Sequence, residues 1–200
     1  MICIIDYGMG NATSVKKAFD LLAIDSLISN NPEDIKSCEK LLIPGVGAFG
    51  DAVDALHTLK LFDIIKKEVV EHKKPILGIC LGMQLFAKSS QESREKEGFG
   101  FIDTECKKFD IKLKVPHVGW NDIEIEQNNS KLFKNIPNHS DFYFVHSYHF
   151  EETLTQKSST LEYGYKFTSS IESENIYGVQ FHPEKSQKYG LELLKNFGEL

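Results

Sequence analysis

The segment Pro75-Ile-Leu-Gly-Ile-Cys-Leu-Gly-Met-Gln84 is an apolar run with one cysteine and a glycine two positions away on either side of it. Its first part, Pro75 to Cys80, predicts a buried strand, and Leu81 to Ser89 predicts a helix. A cysteine between a strand and a helix, with small neighbours, has the layout of a nucleophile elbow. The alternative is a small residue that fills the core. The flanking glycines favour the elbow, so Cys80 is the candidate nucleophile.

Similar strand and helix patterns precede this segment. Ile2 to Asp6 and Lys40 to Ile43 predict two further strands, and a helical pattern follows each of them. Strands and helices that alternate at this spacing are typical of an α/β protein with a parallel sheet covered on both faces. Active sites in such sheets lie at the carboxyl ends of the strands, where the sequence places three glycine-containing turns. The apolar positions that mark these helices are Val15, Ala18, Phe19, Leu22, Val53, Leu56, Ile64, Ile65 and Val69.

The second half of the chain is richer in short β-like segments separated by polar turns. We expect these segments to form antiparallel hairpins added to the same sheet. A last amphipathic helix is predicted, with Tyr189, Leu193, Leu194 and Phe197 facing inward. Because 200 residues can bury one sizeable core, residues 1–200 are interpreted as a single domain. The predicted segments are Asp122 to Glu126, Phe142 to Val145, Thr168 to Ile171 and Ile176 to Phe181.

The composition excludes several classes of function. A net charge of −6 without a basic cluster gives no surface for nucleic acid or for an anionic membrane. The longest apolar runs fall short of the roughly 18 residues of a membrane span, and the amino terminus enters a predicted strand without a basic start, so a cytoplasmic location is expected. The four cysteines are far apart and form no Cys-x-x-Cys pair, which argues against a structural metal.

A thiolate nucleophile usually requires a histidine, and the segment Val179-Gln-Phe-His182-Pro-Glu184 supplies the best candidate. Residues i and i+2 of an extended segment point to the same side, so Glu184 can orient the ring of His182. His146 and His149 are alternative bases, although neither has a carboxylate two residues further on. His146 suits the wall of a substrate pocket better. Three other histidines are interpreted as solvated or core side chains: His57, His72 and His139.

The turn Gly45-Val-Gly-Ala-Phe-Gly50 matches the G-x-G-x-x-G pattern of dinucleotide-binding proteins. The match follows the second predicted strand, and the acidic residues about 20 positions further on fall in a helix, which disfavours that interpretation. A backbone N–H that points at a developing oxyanion beside Cys80 is the better explanation. Gly47 would allow that peptide to turn over between two orientations.

Gly78 to Gln84, together with His182-Pro-Glu184, resembles the class I, triad-type glutamine amidotransferase domain. Within that family the chain is similar to the glutaminase subunits of imidazole glycerol phosphate synthases in histidine biosynthesis. The resemblance extends through nearly the whole chain, and the opening turn and the segment around Trp120 are more specific than the elbow. The stretches that carry it are Ile5 to Asn11, Pro44 to Phe49, Gly78 to Gln84, Val115 to Asn121, Tyr143 to Tyr148 and Gly178 to Ser186.

The resemblance implies a flavodoxin-like, mostly parallel sheet and the hydrolysis of L-glutamine to glutamate and ammonia through a thioester on Cys80. His182 and Glu184 would complete the triad. No cofactor is implied. The partner would be a TIM-barrel cyclase that receives the ammonia in a heterodimer, and low activity is expected without it. The residues implied in glutamine binding are Gly47, Gln84, His146, Ser147 and Tyr148, and those implied at or near the partner face are Asn11, Trp120 and Lys185.

Two alternatives remain open at the level of sequence. Ala12-Thr13 and the segment Phe101 to Glu105 depart from the family pattern, so the chain could be a paralogous glutaminase that feeds a surface-sugar amidotransferase or a pyridoxal phosphate synthase. A non-catalytic binding protein with the same fold is a different class of function. Such a protein would be expected to lack the nucleophile or its base, and both are present here.

Overall fold

A computed structural model describes residues 1–126 and 129–200 of the chain. The first half alternates strands and helices, as the apolar patterns predict. The first, third and fourth strands are almost entirely buried, which is typical of parallel strands covered on both faces. The elements are β1 (Ile2–Ile5), α1 (Ala12–Leu21), β2 (Ser26–Ser29), α2 (Pro32–Ser37), β3 (Lys40–Gly45), α3 (Phe49–Thr58), α4 (Phe62–Val70), β4 (Ile76–Cys80) and α5 (Leu81–Gln84).

The second half contributes mainly strands, followed by a short 3₁₀ helix at Pro183–Lys185 and a final helix. The strands are short and carry polar turns between them, as expected. The elements are β5 (Ser89–Ser90), β6 (Glu105–Lys108), β7 (His117–Asp122), β8 (Glu124–Ile125), β9 (Asp141–His146), β10 (Tyr148–Glu151), β11 (Lys157–Glu162), β12 (Lys166–Ser173), β13 (Ile176–Val179) and α6 (Gln187–Gly198).

The central sheet has the order β2-β1-β3-β4-β13-β12-β10-β6-β5, and β11 pairs with β12 and with β8. From β2 to β13 the neighbours are parallel, whereas β12 is antiparallel to β13 and to β10. The predicted parallel sheet with antiparallel additions is therefore confirmed. Because β13 pairs with β4, the chain that leaves β13 emerges beside the end of β4.

Apolar side chains cover both faces of this sheet. On one face, α1 and α6 bury Phe19, Leu193, Leu194 and Phe197 without exposure. On the other face, α2, α3 and α4 bury Ile35, Leu56 and Ile65. Most apolar positions that the sequence assigned to helices are therefore core positions, and Tyr189 is partly buried. In the described part of the chain, no helix is both long enough and apolar enough to cross a membrane.

The expectation that every added hairpin joins the central sheet is wrong for one pair of strands. β7 and β9 pair with each other in a separate two-stranded sheet. Phe142 and Phe144 are buried on one side of this pair, whereas Val118 and Trp120 are 54% and 48% exposed. The predicted strand Asp122 to Glu126 is interrupted at the buried Ile123, whose N–H bonds to the carbonyl of Ser140.

The predicted helix Leu81 to Ser89 is also too long, because α5 ends at Gln84. The carbonyls of the following residues accept hydrogen bonds from a neighbouring loop instead of from the next helical turn. Phe99 donates its N–H to Leu85 at 2.8 Å, and Ile102 donates to Phe86 at 3.0 Å. Apolar periodicity continues through this segment since the side chains are still buried, and periodicity alone cannot show where the backbone bonds go.

Candidate active site

Cys80 lies at the junction of β4 and α5 with φ 54° and ψ −111°, a conformation that is rare outside glycine. The two glycines around it leave no room for a side chain. A Cβ at Gly82 would lie 1.9 Å from the carbonyl oxygen of Ile43, and a Cβ at Gly78 would lie 2.6 Å from the nitrogen of Met83. The close approach of β3, β4 and α5 therefore requires glycine at both positions. The structure has the sharp strand-to-helix turn that the sequence predicts.

His182 and Glu184 follow β13 and lie at the same edge of the sheet as Cys80. Nδ1 of His182 and Oε1 of Glu184 are 2.9 Å apart, and the two side chains are only 2% and 1% exposed. The backbone that carries them is fixed, because the N–H of His182 donates to Tyr143 and its carbonyl accepts from Ser186 Oγ at 2.6 Å. This geometry is the expected one for a carboxylate that orients a histidine ring.

The second ring nitrogen of His182 and Oε2 of Glu184 are buried without a hydrogen-bond partner among the described residues. Burial alone lowers the pKa of His182, but interactions with Cys80 and with Glu184 outweigh burial and raise that pKa to about 10. These interactions favour the protonated form of His182. A buried cysteine at the same sheet edge as a histidine that a carboxylate orients is suited to nucleophilic acyl transfer.

A cavity of about 250 Å³ opens beside Cys80. It brings together the five residues that the resemblance to the family implied in substrate binding: Gly47, Gln84, His146, Ser147 and Tyr148. A larger cavity of about 880 Å³ lies between the end of α4 and the start of β13, and none of the predicted site residues lines it. The smaller cavity is therefore the candidate site. Its other lining residues are Val46, Leu81, Glu92, Pro116 and Val145.

The glycine-rich turn after β3 forms one side of this cavity. Gly45 is the register partner of Cys80, and a Cβ at Gly45 would lie 2.7 Å from Leu81 Cβ and 2.8 Å from the hydroxyl of Tyr7. Gly47 has φ +107°, a backbone conformation that favours glycine. The turn therefore lies against the nucleophile, as the oxyanion interpretation requires, and the G-x-G-x-x-G spacing is accounted for without a dinucleotide.

The alternative bases, His146 and His149, have both ring nitrogens engaged. Nδ1 of His146 lies 2.8 Å from the carbonyl of Tyr148, so this nitrogen must carry the proton. Nε2 of His146 then accepts from Nδ1 of His117 at 3.1 Å. Burial lowers the pKa of His146 to about 3 and that of His117 to about 4. His149 bonds in the same way to the carbonyl of Phe150 and to the hydroxyl of Tyr165.

His146 and His149 therefore have no ring nitrogen left to take a proton from Cys80, and His117 belongs to the same aromatic cluster through its hydrogen bond to His146. His146 contributes to the cavity wall. The histidines interpreted as peripheral have ordinary partners: His57 stacks on Phe62, and His139 pairs with Asp122 at 2.8 Å.

Two residues of the site were missed at the level of sequence. Glu92 lines the cavity, and its Oε2 accepts a hydrogen bond from the N–H of Phe49 at 2.8 Å. It lies in a polar stretch with no motif, so only the folded chain brings it to the site. Gln180 is completely buried, and its Nε2 lies 3.5 Å from Cys80 Sγ. The sequence held a signal for Gln180, because residues 180 and 182 share one side of an extended segment.

The residues implied at the partner face do not line the cavity. Trp120 and Lys185 both contact the ring of Tyr143. The ring centroids of Trp120 and Tyr143 are 6.0 Å apart, and Nζ of Lys185 lies 5.7 Å from the centroid of Tyr143. Asn11 caps α1, where its Oδ1 accepts from the N–H of Ser14 at 3.3 Å. Val118, Trp120, Tyr143 and Lys185 are called the tryptophan face below.

Comparisons with known proteins identify the family of the chain. Residues 3–199 match the family described as glutamine amidotransferase class-I. A chain named imidazole glycerol phosphate synthase subunit HisH 1, from Campylobacter jejuni subsp. jejuni serotype O:23/36 (strain 81-176), is 47% identical over all of this chain and all of that relative. One named subunit HisH 2, from Methanococcus maripaludis, is 48% identical over 98% of each.

Solved structures share the fold at lower identity. A crystal structure of a glutamine amidotransferase superposes with a TM-score of 0.77 at 17% identity and covers 99% of this chain and 100% of that chain. The glutaminase domain of CTPS from Trypanosoma brucei, with bound acivicin, gives a TM-score of 0.70 at 16% identity, with 99% and 93% covered. Family match, full-length identity and shared architecture lead to one conclusion: this chain belongs to the class I glutamine amidotransferase family.

Proposed function

We propose that this chain is the glutaminase subunit of an imidazole glycerol phosphate synthase, which hydrolyses L-glutamine to glutamate and ammonia. The observation that carries the proposal is a strained, buried Cys80 at the same sheet edge as the buried His182–Glu184 pair. Full-length relatives that bear the name of this synthase support the choice of pathway. Four free, buried cysteines are compatible with a reducing compartment, and we place the reaction in the cytoplasm.

In the proposed reaction, Cys80 Sγ attacks the side-chain amide carbon of glutamine and forms a C–S bond. Backbone N–H groups at the turn around Gly47 and at Leu81 stabilise the oxyanion. His182 gives its proton to the leaving nitrogen, and the C–N bond breaks to release ammonia and leave a thioester. His182 then accepts a proton from water, which attacks the thioester and frees glutamate and the thiolate. Glu184 orients the ring throughout.

The cavity offers complementary groups to the amino-acid end of glutamine. Glu92 is the carboxylate that lines it, and we assign it to the ammonium group of the substrate. The side chain of Gln84 and the backbone at Ser147 and Tyr148 supply further polar contacts. A volume of about 250 Å³ suits one small amino acid rather than a peptide.

Ammonia released into water near neutral pH would be protonated and would lose its nucleophilicity. We therefore propose that the chain works as a heterodimer with a TIM-barrel cyclase, which docks on or near the tryptophan face and takes up the ammonia directly. Val118 and Trp120 give this face an exposed apolar centre, and Lys185 gives it a positive charge. Asn11 is assigned to the edge of the docking area.

The deciding experiment measures ammonia release from glutamine by the purified chain, alone and with a histidine-pathway cyclase carrying its nucleotide ligand. A large increase that requires both the cyclase and Cys80 supports the proposal. Stimulation by a surface-sugar amidotransferase and not by the cyclase would assign the chain to another synthase. The absence of any Cys80-dependent ammonia release with either partner would overturn the glutaminase assignment.

A further inference from the structure

Gln180 is the first residue after β13 and lies behind the nucleophile, outside the substrate cavity. Its side chain is completely buried, and its backbone N–H donates to Ser169 at 2.8 Å. Its amide contacts two side chains of the site: Nε2 is 3.5 Å from Cys80 Sγ, and Oε1 is 3.0 Å from Gln84 Nε2. A buried amide that touches the reacting sulfur has no role in the reaction described so far.

The orientation of this amide is determined by a backbone carbonyl. The carbonyl of Tyr148 can only accept, and it lies 3.0 Å from the end of Gln84, so that end must be the NH₂ group. The second hydrogen of Gln84 Nε2 then points to Gln180, whose nearer atom must be the oxygen. The NH₂ group of Gln180 is thereby directed at Cys80. The network presents a donor, and not an acceptor, to the sulfur.

Two groups therefore contact Cys80 Sγ with opposite preferences. The carbonyl of Val145, at 3.7 Å, can bond only to the protonated thiol. The NH₂ group of Gln180 bonds better to the thiolate, because hydrogen bonds to a charged partner are stronger than neutral ones. When the proton leaves, the contact with Val145 becomes repulsive and the contact with Gln180 strengthens.

We propose that Gln180 stabilises the thiolate of Cys80 and holds its sulfur toward the cavity, with its own orientation fixed by Gln84 and the carbonyl of Tyr148. Gln180 is a positioning residue that acts through Cys80 and makes no contact with substrate. The inference rests on Cys80 as the nucleophile of the proposed function.

The test replaces Gln180 by methionine, which keeps the length of the side chain and removes the donor. The rate of Cys80 alkylation by iodoacetamide is measured against pH by peptide mass spectrometry, without glutamine. We expect the Gln180→Met profile to move up by about one pH unit, which is about a tenfold loss of thiolate below its midpoint. The kcat for glutamine should fall by a similar factor while KM changes little. Gln156→Met, a matched change away from the site, should leave both the alkylation profile and kcat unchanged.

The other titratable groups near the sulfur are the same in the wild type, Gln180→Met and Gln156→Met. Tyr7 and Cys106 have pKa values raised chiefly by burial, so they stay neutral, and His182 and Glu92 are retained. An unchanged alkylation profile in a folded Gln180→Met protein overturns the inference, even if Cys80 proves essential for ammonia release. If the variant does not fold, the side-chain NH₂ signals of Gln180 in the ¹⁵N-labelled wild type decide. These signals should shift with pH in the wild type and remain constant in Cys80→Ala. If they do not respond to pH in the wild type, the inference is overturned.

Discussion

At the scale of single residues, the site concentrates features that are unfavourable for stability. Cys80 has a positive φ, and His182 and Glu184 each bury one polar atom without a partner. Strained backbone and unsatisfied polar groups cost about 1–3 kcal/mol each. They persist because the surrounding structure fixes the backbone on both sides. Such features are expected where a sulfur must face a substrate and a ring nitrogen must be ready to transfer a proton.

Replacing Cys80 by serine should reduce ammonia release about 10⁴-fold or more, because a serine hydroxyl beside His182 is a far weaker nucleophile than a thiolate. The substitution is nearly isosteric, so the thermal unfolding midpoint should change little. Ammonia assays and thermal unfolding of the same preparation test both statements. Retained turnover would mean that another residue attacks the amide.

Glu184→Gln should reduce kcat by roughly 10- to 100-fold. This loss should be smaller than that of His182→Ala, since an orienting group contributes less than the group that moves the proton. Steady-state kinetics of the two variants under identical conditions give the comparison. Equal losses would show that the carboxylate does more than orient the ring.

A third substitution tests Glu92, which only the folded chain brings to the cavity. Glu92→Gln should raise KM for glutamine about tenfold or more with a smaller change in kcat, because it removes the charge assigned to the substrate ammonium. Glu97→Gln, a nearby exposed carboxylate outside the cavity, is the matched control and should leave KM unchanged. If the two variants behave alike, Glu92 does not bind the substrate.

At the scale of elements, the elbow depends on how closely β3 and α5 approach. Gly82→Ala places a Cβ 1.9 Å from a backbone carbonyl, and it should destabilise the protein by about 3 kcal/mol or more because the backbone must move. Gly8→Ala is the control for conformational cost: Gly8 has φ +83° and nothing within 4 Å of a Cβ, so a loss of about 1–2 kcal/mol is expected. Urea unfolding of both variants measures the difference, and equal losses would contradict the steric argument.

The neutral pair His117–His146 links β7 to β9 and makes the fold sensitive to acid. Both histidines have pKa values that burial lowers, to about 4 and about 3, so the unfolded chain binds protons more readily below about pH 6.5. Stability should therefore fall as the pH drops from about 6.5 toward 4, by up to about 1.4 kcal/mol per pH unit for each histidine.

His117→Asn tests this dependence, since its amide can still donate to His146 but cannot titrate. The variant should be less stable than the wild type at pH 7, because it loses ring stacking on Phe144 and Tyr163. Its free energy of unfolding should nevertheless fall less steeply between pH 7 and pH 5. Equal slopes in urea unfolding at the two pH values would show that His117 is not buried in its neutral form.

At the scale of the whole molecule, the cavity and the tryptophan face share β9 as a common element. His146 at one end of β9 lines the cavity, and Tyr143 lies between Trp120 and Lys185 on the surface. Trp120→Ala should leave the basal ammonia release of the isolated chain within about twofold and reduce stimulation by the cyclase about tenfold or more, because a large exposed aromatic is a typical interface hot spot.

Leu21→Ala is the matched control for this face. Leu21 is 79% exposed on α1, and its loss should affect neither basal nor stimulated activity. If Trp120→Ala retains full stimulation, the tryptophan face is not the proposed docking surface.

The sequence by itself determined the α/β class, the elbow at Cys80 and the pairing of His182 with Glu184. These depend on local physics: apolar periodicity, the need for glycine in a tight turn, and the common side of residues i and i+2. The end of α5, the separate sheet of β7 and β9 and the position of Glu92 were decided only by the tertiary structure. Each of these depends on contacts between segments that are distant in the sequence, as when residues 99 and 102 bond to the carbonyls that would have continued α5. The pairing of β13 with β4 was also decided only by the tertiary structure. Its residues pair in parallel with residues 100 positions earlier, and this pairing brings His182 to the same sheet edge as Cys80. Short-range sequence patterns do not encode it.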